Sequence, residues 1–224
     1  TLNTAIKMRF SGKGVIITGS NSGIGKVTVL LMAKEGAVKT LEHTVEECRK
    51  VGAQTAKFPM VRGDFNSDKT LIQRLYDTAM EAFGRIDVLV NNACTAESCT
   101  FENVTEEQFD KQINVALKAP LFLSQKCFPE LKKNKGNIAN VSSVAGARPH
   151  SFGYAIYSVS KAALDQFTQC AGIEYGSEGV IVNVVCPGVV ATGIFLKSGV
   201  ANTKEEQDEF YTLTLYPIKE KWYP

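Results

Sequence analysis

Short apolar runs and amphipathic stretches alternate along this chain, and the alternation predicts its architecture. Gly14-Val15-Ile16-Ile17-Thr18 is apolar and β-branched, which predicts a buried parallel strand. Ile24 to Glu35 carries its apolar positions at helical spacing. Thr55 to Gly63 predicts a further strand ending at Asp64, and Lys69 to Phe83 an amphipathic helix. Ile86 to Val90 predicts a buried strand running into Asn91-Asn92, and Glu106 to Phe128 a long helix capped by Thr105. Asn137 to Val141, Tyr157 to Tyr175 and Val180 to Val185 continue the series as strand, helix and strand. This rhythm predicts an α/β fold with a doubly wound parallel sheet, one domain over residues 1–224. Polar residues collect where the strands end, and ligands of such sheets bind outside the carboxyl ends of the strands.

Composition narrows the class. At 224 residues and 44% hydrophobic content the chain can bury one substantial core. The net charge of +2 comes without a basic stripe. Its densest cluster, Lys132-Lys133-Asn134-Lys135, reads as a solvated helix end, so nucleic acid is not expected as a partner. No apolar run approaches membrane-spanning length, and no signal-peptide pattern opens the sequence. Six cysteines form no C-x-x-C pair and only two histidines occur. That argues against a metal site and for reduced thiols, in the cytoplasm or another reducing intracellular compartment.

Two motifs carry candidate chemistry. The first predicted strand runs into Thr18-Gly19-Ser20-Asn21-Ser22-Gly23-Ile24-Gly25 and then a helix. Strand, tight glycine turn and helix N-terminus together deliver backbone N–H groups and a positive dipole end to a diphosphate. The spacing G-x-x-x-G-x-G departs from the usual dinucleotide fingerprint G-x-G-x-x-G. The second motif is Tyr157-Ser158-Val159-Ser160-Lys161. On a helix it places a phenol and an ammonium on one face. A free tyrosine titrates near pH ~10, and a lysine beside it favours the phenolate, which is the expectation here for an acid–base pair working near neutrality.

Taken with Asp64, Asn91-Asn92-Ala93, Asn114, Ser143 and Pro187-Gly188-x3-Thr192, these motifs resemble the short-chain dehydrogenase/reductase family over roughly residues 10 to 195. The resemblance implies a Rossmann-like sheet and an NAD(P)(H)-dependent oxidoreductase interconverting a secondary alcohol and a ketone. Tyr157 would be the general acid/base, and Lys161 would lower its pKa and hold the nicotinamide ribose. Ser143 would bind the substrate oxygen, and Asn114 would complete a proton relay. Ser142 reads as a strand-end serine capping a turn. The glycine turn from Gly19 through Ser20, Asn21, Ser22, Gly23, Ile24 and Gly25 would take the diphosphate. Asp64 would meet the adenine amino group, Asn91 would stabilise the central sheet, and Ala93 would lie near the adenosine ribose. Pro187, Gly188, Val189 and Thr192 would cradle the nicotinamide carboxamide. The substrate implied is a small or steroid-like ketone or alcohol, moderately apolar given Val144, Ala145, Phe152, Ile194 and Phe195. The family also implies a homodimer or homotetramer, and sequences of this style favour NADP(H) over NAD(H). The alternative reading is a non-catalytic dinucleotide-binding or scaffold member of the same fold.

Three departures bear on these expectations. Cys94 stands where the family has glycine, and its side chain either crowds the adenine pocket or packs as a small thiol. Glu35-Gly36-Ala37 runs almost directly into the next helical stretch, about ten residues short of the family pattern, so the second strand and the residue that discriminates NAD from NADP have no place. One peptide spans only ~3.8 Å, so a break in the chain is expected near residues 36 to 40, and a weaker one within 193–217. The third departure is the end of the sequence, where a C-terminal strand is missing. Residues 193–217 correspond to the substrate loop.

Overall fold

The computed structural model describes residues 9–35, 47, 48, 50, 57–148, 153–190, 192–194 and 203–206. Both expected strand losses and the expected break at 36–40 lie outside these residues, as do Phe152, Phe195 and most of the expected substrate loop.

Four parallel strands form the sheet: β1 (Val15–Ile17), β2 (Val88–Asn91), β3 (Asn137–Val141) and β4 (Ile181–Val185), in spatial order β1-β2-β3-β4. Around them lie α1 (Gly23–Lys34), α2 (Leu71–Phe83), α3 (Glu106–Ile113), a π-helical segment (Asn114–Lys118), α4 (Ala119–Asn134), the short α5 (Val144–Ala147) and α6 (Ala155–Gly176). The period-two geometry of strands sends alternate side chains to opposite faces. Ile16, Leu89 and Ile138 accordingly join Ala79 of α2 and Leu123, Cys127 and Leu131 of α4 in one cluster. Val15, Ile17, Val88 and Val90 join Val29 and Ala33 of α1, with Cys48, on the other face. Apolar burial on both faces explains why β1 and the start of β2 read as uninterrupted hydrophobic runs. Leu131 is fully buried, and its truncation to alanine should cost about 2–5 kcal/mol.

Two expectations are corrected. Residues 57–63 form no strand. Among the described residues β1 is hydrogen-bonded to β2 alone, and the stretch does not pair with its other edge, although Phe58 still packs on the cluster under β1. The helix expected over Glu106 to Phe128 instead runs to Asn134 and is interrupted by the π segment. Its start is as expected: Thr105 forms a reciprocal capping box with Gln108. Its end is set by Lys135 in the left-handed conformation, φ 49°.

Candidate active site

The turn after β1 is stitched to the turn after β2. Thr18 Oγ1 accepts hydrogen bonds from the backbone N–H groups of Asn92 (3.0 Å) and Ala93 (2.9 Å). The Asn92 amide returns bonds to the carbonyls of Thr18 (3.0 Å) and Gly19 (3.1 Å). Gly19 and Gly23 have φ of +62° and +53°, a region that glycine enters without steric cost. Their hydrogens also make room: a Cβ on Gly19 would sit 2.9 Å from the Ala93 Cα, and one on Gly23 3.2 Å from Thr192 Cγ2. A Cβ on Gly25 would collide with the Gly19 carbonyl and the Asn92 amide. Helix α1 starts here with no acidic residue in its first turn, so its positive N-terminal end is not neutralised from within.

The ends of β3 and β4 supply the other half. Ser143 caps α5 by accepting from the Ala145 N–H at 3.1 Å, and its hydroxyl is near enough to the Tyr157 phenol to bear on its titration. Helix α6 carries Tyr157 and Lys161 one turn apart. The Lys161 ammonium lies 5.7 Å from the centre of the Tyr157 ring and donates to the Val141 carbonyl at 2.8 Å. Lys161 is only 3% exposed, a burial an ammonium tolerates only with polar partners. Burial pushes the Tyr157 phenol above its ordinary value. Lys161 and Ser143 pull it down and Cys94 pushes it further up, with the balance upward. Lys161 thus acts on the phenol in the expected downward direction, and desolvation of the phenolate opposes it.

Both halves open on one cavity of about 870 Å³. Gly19, Asn21, Ser22, Gly23, Ile24, Asp64 and Ala93 line it from one side. Ser143, Tyr157, Lys161, Pro187, Gly188, Val189 and Thr192 line it from the other. Ser142 also lines the cavity, while its hydroxyl donates to the Lys161 carbonyl at 3.3 Å. Four candidates lie behind the wall. Ser20 is buried and Gly25 is a packing position. Asn91 sits beneath the floor, its amide donating to Asn140 Oδ1 at 2.8 Å and Ser124 Oγ at 3.2 Å, while Asn140 donates to Thr168 Oγ1 at 2.9 Å. Asn114 opens the π segment, its carbonyl accepting from the Ala119 N–H and its amide reaching Asn66 Oδ1 at 3.1 Å.

Asp64 lines the cavity and also orders a turn, accepting from the Asn66 N–H at 2.9 Å and the Ser67 hydroxyl at 3.3 Å. Cys94 lines the cavity too, its thiol donating to the Thr95 carbonyl at 3.1 Å. Sequence reasoning missed Phe65, Ser98, Val115 and Tyr154 among the lining residues. Tyr154 could have been found from its i,i+3 relation to Tyr157, whose ring it meets edge-on at 6.5 Å.

A family model described as "short chain dehydrogenase" matches residues 13–202. The chain belongs to the short-chain dehydrogenase family. It is 38% identical over 192 residues to an uncharacterized oxidoreductase of Thermotoga maritima, covering 81% of this chain and 73% of that protein. Among solved structures it resembles a short-chain dehydrogenase/reductase of unknown function from Caenorhabditis elegans, crystallised with cofactor (TM-score 0.79, 33% identity, 92% of this chain and 79% of that one). It also resembles a short-chain dehydrogenase from Burkholderia cenocepacia in complex with NADP (TM-score 0.75, 30% identity, 83% and 78%). An NADH-dependent reductase complexed with NAD is similar at TM-score 0.75 and 25% identity, over 83% and 82%. The fold is thus the Rossmann-like one of that oxidoreductase family.

The residues present fit a nicotinamide dinucleotide. The test is the glycine cradle, since side chains at Gly19 or Gly23 would fill the space between the turn and the residues opposite. Backbone N–H groups at the start of α1 suit a diphosphate, and a buried ammonium at the far wall suits a ribose hydroxyl.

Proposed function

We propose that this chain is an NAD(P)(H)-dependent oxidoreductase that interconverts a secondary alcohol and a ketone. The observation that carries the reading is the convergence of Ser143, Tyr157 and Lys161 on the cavity that also receives the glycine turn. The dinucleotide, when bound, supplies or accepts the hydride. Everything else falls to side chains of this chain. Ser143 donates to the substrate oxygen. Tyr157, kept protonated by its burial, hands its phenolic proton to that oxygen during reduction and retrieves it during oxidation. Lys161 steadies the phenolate that forms and holds the ribose. Asn114, at the π segment, joins the relay that returns the proton.

The turn residues Gly19 to Gly25, with Asp64, Asn91, Ala93, Pro187, Gly188, Val189 and Thr192, make the dinucleotide site in this reading. Residues 193–217 form the substrate loop of a single catalytic domain. NADP(H) is the favoured form, in keeping with the complex of the Burkholderia cenocepacia relative, and the NAD complex of the other reductase makes the choice a matter for measurement. The substrate is a small or steroid-like apolar ketone or alcohol, a reading supported by Val144, Ala145, Val190 and Ile194, which line the same cavity as the phenol. Assembly as a homodimer or homotetramer in a reducing compartment completes the reading. All six cysteines are free, and no helix among the described residues is long and apolar enough to cross a membrane.

The test is oxidation of NADPH and of NADH by the purified chain with a panel of cyclic and steroid-like ketones, alongside direct measurement of dinucleotide binding. Turnover with NADPH preferred supports the reading. Tight dinucleotide binding with no turnover of any ketone or alcohol would transfer support to a non-catalytic role.

A further inference from the structure

Two buried side chains that do not line the cavity hold the helix that carries the acid–base pair. Gln112 of α3 is 4% exposed and Ser160 of α6 is 0% exposed. The Gln112 amide donates to Ser160 Oγ at 2.9 Å, and the Ser160 hydroxyl donates in turn to the Tyr157 carbonyl at 2.7 Å. The direction follows from the donor inventory. A serine has one hydroxyl proton, and once it is committed to the carbonyl the oxygen can only accept, so glutamine must present its N–H.

A serine bonding back to its own helix competes with the helical ladder and is ordinarily neutral to unfavourable. Here a second helix supplies a partner, and in a dry interior each bond polarises the next. On the other side, Lys161 donates to the Val141 carbonyl at the end of β3. Residues 157–161 are therefore tied to the sheet through Lys161 and to α3 through Ser160.

We propose that Gln112 and Ser160 are positioning residues for Tyr157: the chain from the Gln112 amide through the Ser160 hydroxyl to the Tyr157 carbonyl sets where the phenol stands against Ser143. Neither residue touches substrate. The inference rests on the proton-transfer role proposed above for Tyr157. Its physical basis is the steep cost of misplacement, since a shift of about 1 Å in a reacting group can lower a rate ~100-fold.

The experiment compares Gln112→Met, which keeps the side chain's length and lacks the N–H, with Ser160→Ala and the double variant. Each single variant should lower kcat ~10-fold or more while KM and dinucleotide affinity stay within a few-fold. The double variant should be no slower than the slower single one, because both break the same chain. Additive losses, or losses of dinucleotide affinity or thermal stability that match the loss of rate, would overturn the proposal. Should one variant fail to fold, the split between rate and affinity in the other decides. If the unaltered chain turns over no ketone, the proposed reaction fails, and the inference is judged by nuclear magnetic resonance of labelled tyrosines. The Tyr157 ring signal, assigned with Tyr157→Phe, should move in both Gln112→Met and Ser160→Ala. A signal that stays put in both overturns it.

Discussion

The two halves of the cavity are built from opposite materials. On the β1 side the wall is mostly backbone: Gly19 and Gly23 contribute N–H groups and empty space, and the stitching by Thr18 and Asn92 engages main-chain groups. On the β3 and β4 side the wall is largely side chain, with Ser143 bonded to the Ala145 N–H, Lys161 to the Val141 carbonyl, and Tyr157 beside Lys161. A backbone site recognises a fixed, charged shape and fails when space is lost. A side-chain site suits proton transfer, the role proposed for it above, and fails when a functional group is lost or displaced.

That contrast is most sharply tested at Tyr157. Tyr157→Phe keeps the ring and removes the proton donor, so turnover should fall by ~10²–10⁴-fold with dinucleotide affinity within a few-fold. Steady-state kinetics and binding calorimetry measure the two separately, and a variant that keeps most of its activity would end the assignment. Lys161→Ala should lose both rate and affinity, because the ammonium sits beside the phenol and also on the cavity wall. Normal affinity in that variant would confine the lysine to the proton.

Gly19→Ala probes the other half. Its Cβ would meet Ala93 Cα at 2.9 Å and its φ of +62° suits glycine. Dinucleotide affinity should drop ~10-fold or more, with stability lowered by about 1–2 kcal/mol. A rate lowered at saturating dinucleotide with unchanged affinity would blur the division between the halves.

The smallest effect on the cavity itself is expected from a group outside it, Asp87. This carboxylate enters β2 nearly buried and accepts from the Gly14 N–H (2.9 Å), Arg85 (2.7 Å and 2.6 Å) and Lys13 (3.1 Å). Burial pushes its carboxyl up, and the bonds from Arg85, Gly14 and Lys13 outweigh that and hold it below the usual carboxylate range. A depressed folded-state pKa adds stability that is present above the unfolded value of ~3.9 and is lost as pH falls through the folded one. Asp87→Asn should cost about 1–3 kcal/mol at neutral pH and flatten the acid limb of the stability curve. Thermal unfolding between neutral and strongly acidic pH measures both, and dinucleotide affinity at neutral pH should not change.

The backbone half was the more legible of the two in the sequence. A strand, a glycine turn and a helix are contiguous, so their chemistry follows from local conformation, and Asp64 and Thr192 fall on the cavity as their motifs suggested. The side-chain half was legible in its residue types and not in its balance. Tyr157 and Lys161 are paired by helical spacing alone, yet the direction of the phenol's shift depends on how deeply the site is buried, which spacing does not carry. Gln112 was invisible for a similar reason. It lies 48 residues from Ser160, and no local pattern links them. The stretch 57–63 failed in the opposite sense: its residues favour a strand, but strand formation depends on pairing with a distant segment, which local pattern does not carry.

By itself, then, the sequence determined most of the order of strands and helices, the glycine turn and the pairing of Tyr157 with Lys161, because each depends on residues within a turn or two of one another. Only the tertiary structure decided which candidates reach the cavity, that Ser20, Gly25 and Asn114 lie behind its wall, and that burial at Tyr157 opposes Lys161. Those outcomes depend on distances and desolvation between segments far apart in the chain, and the sheet's packing sets both.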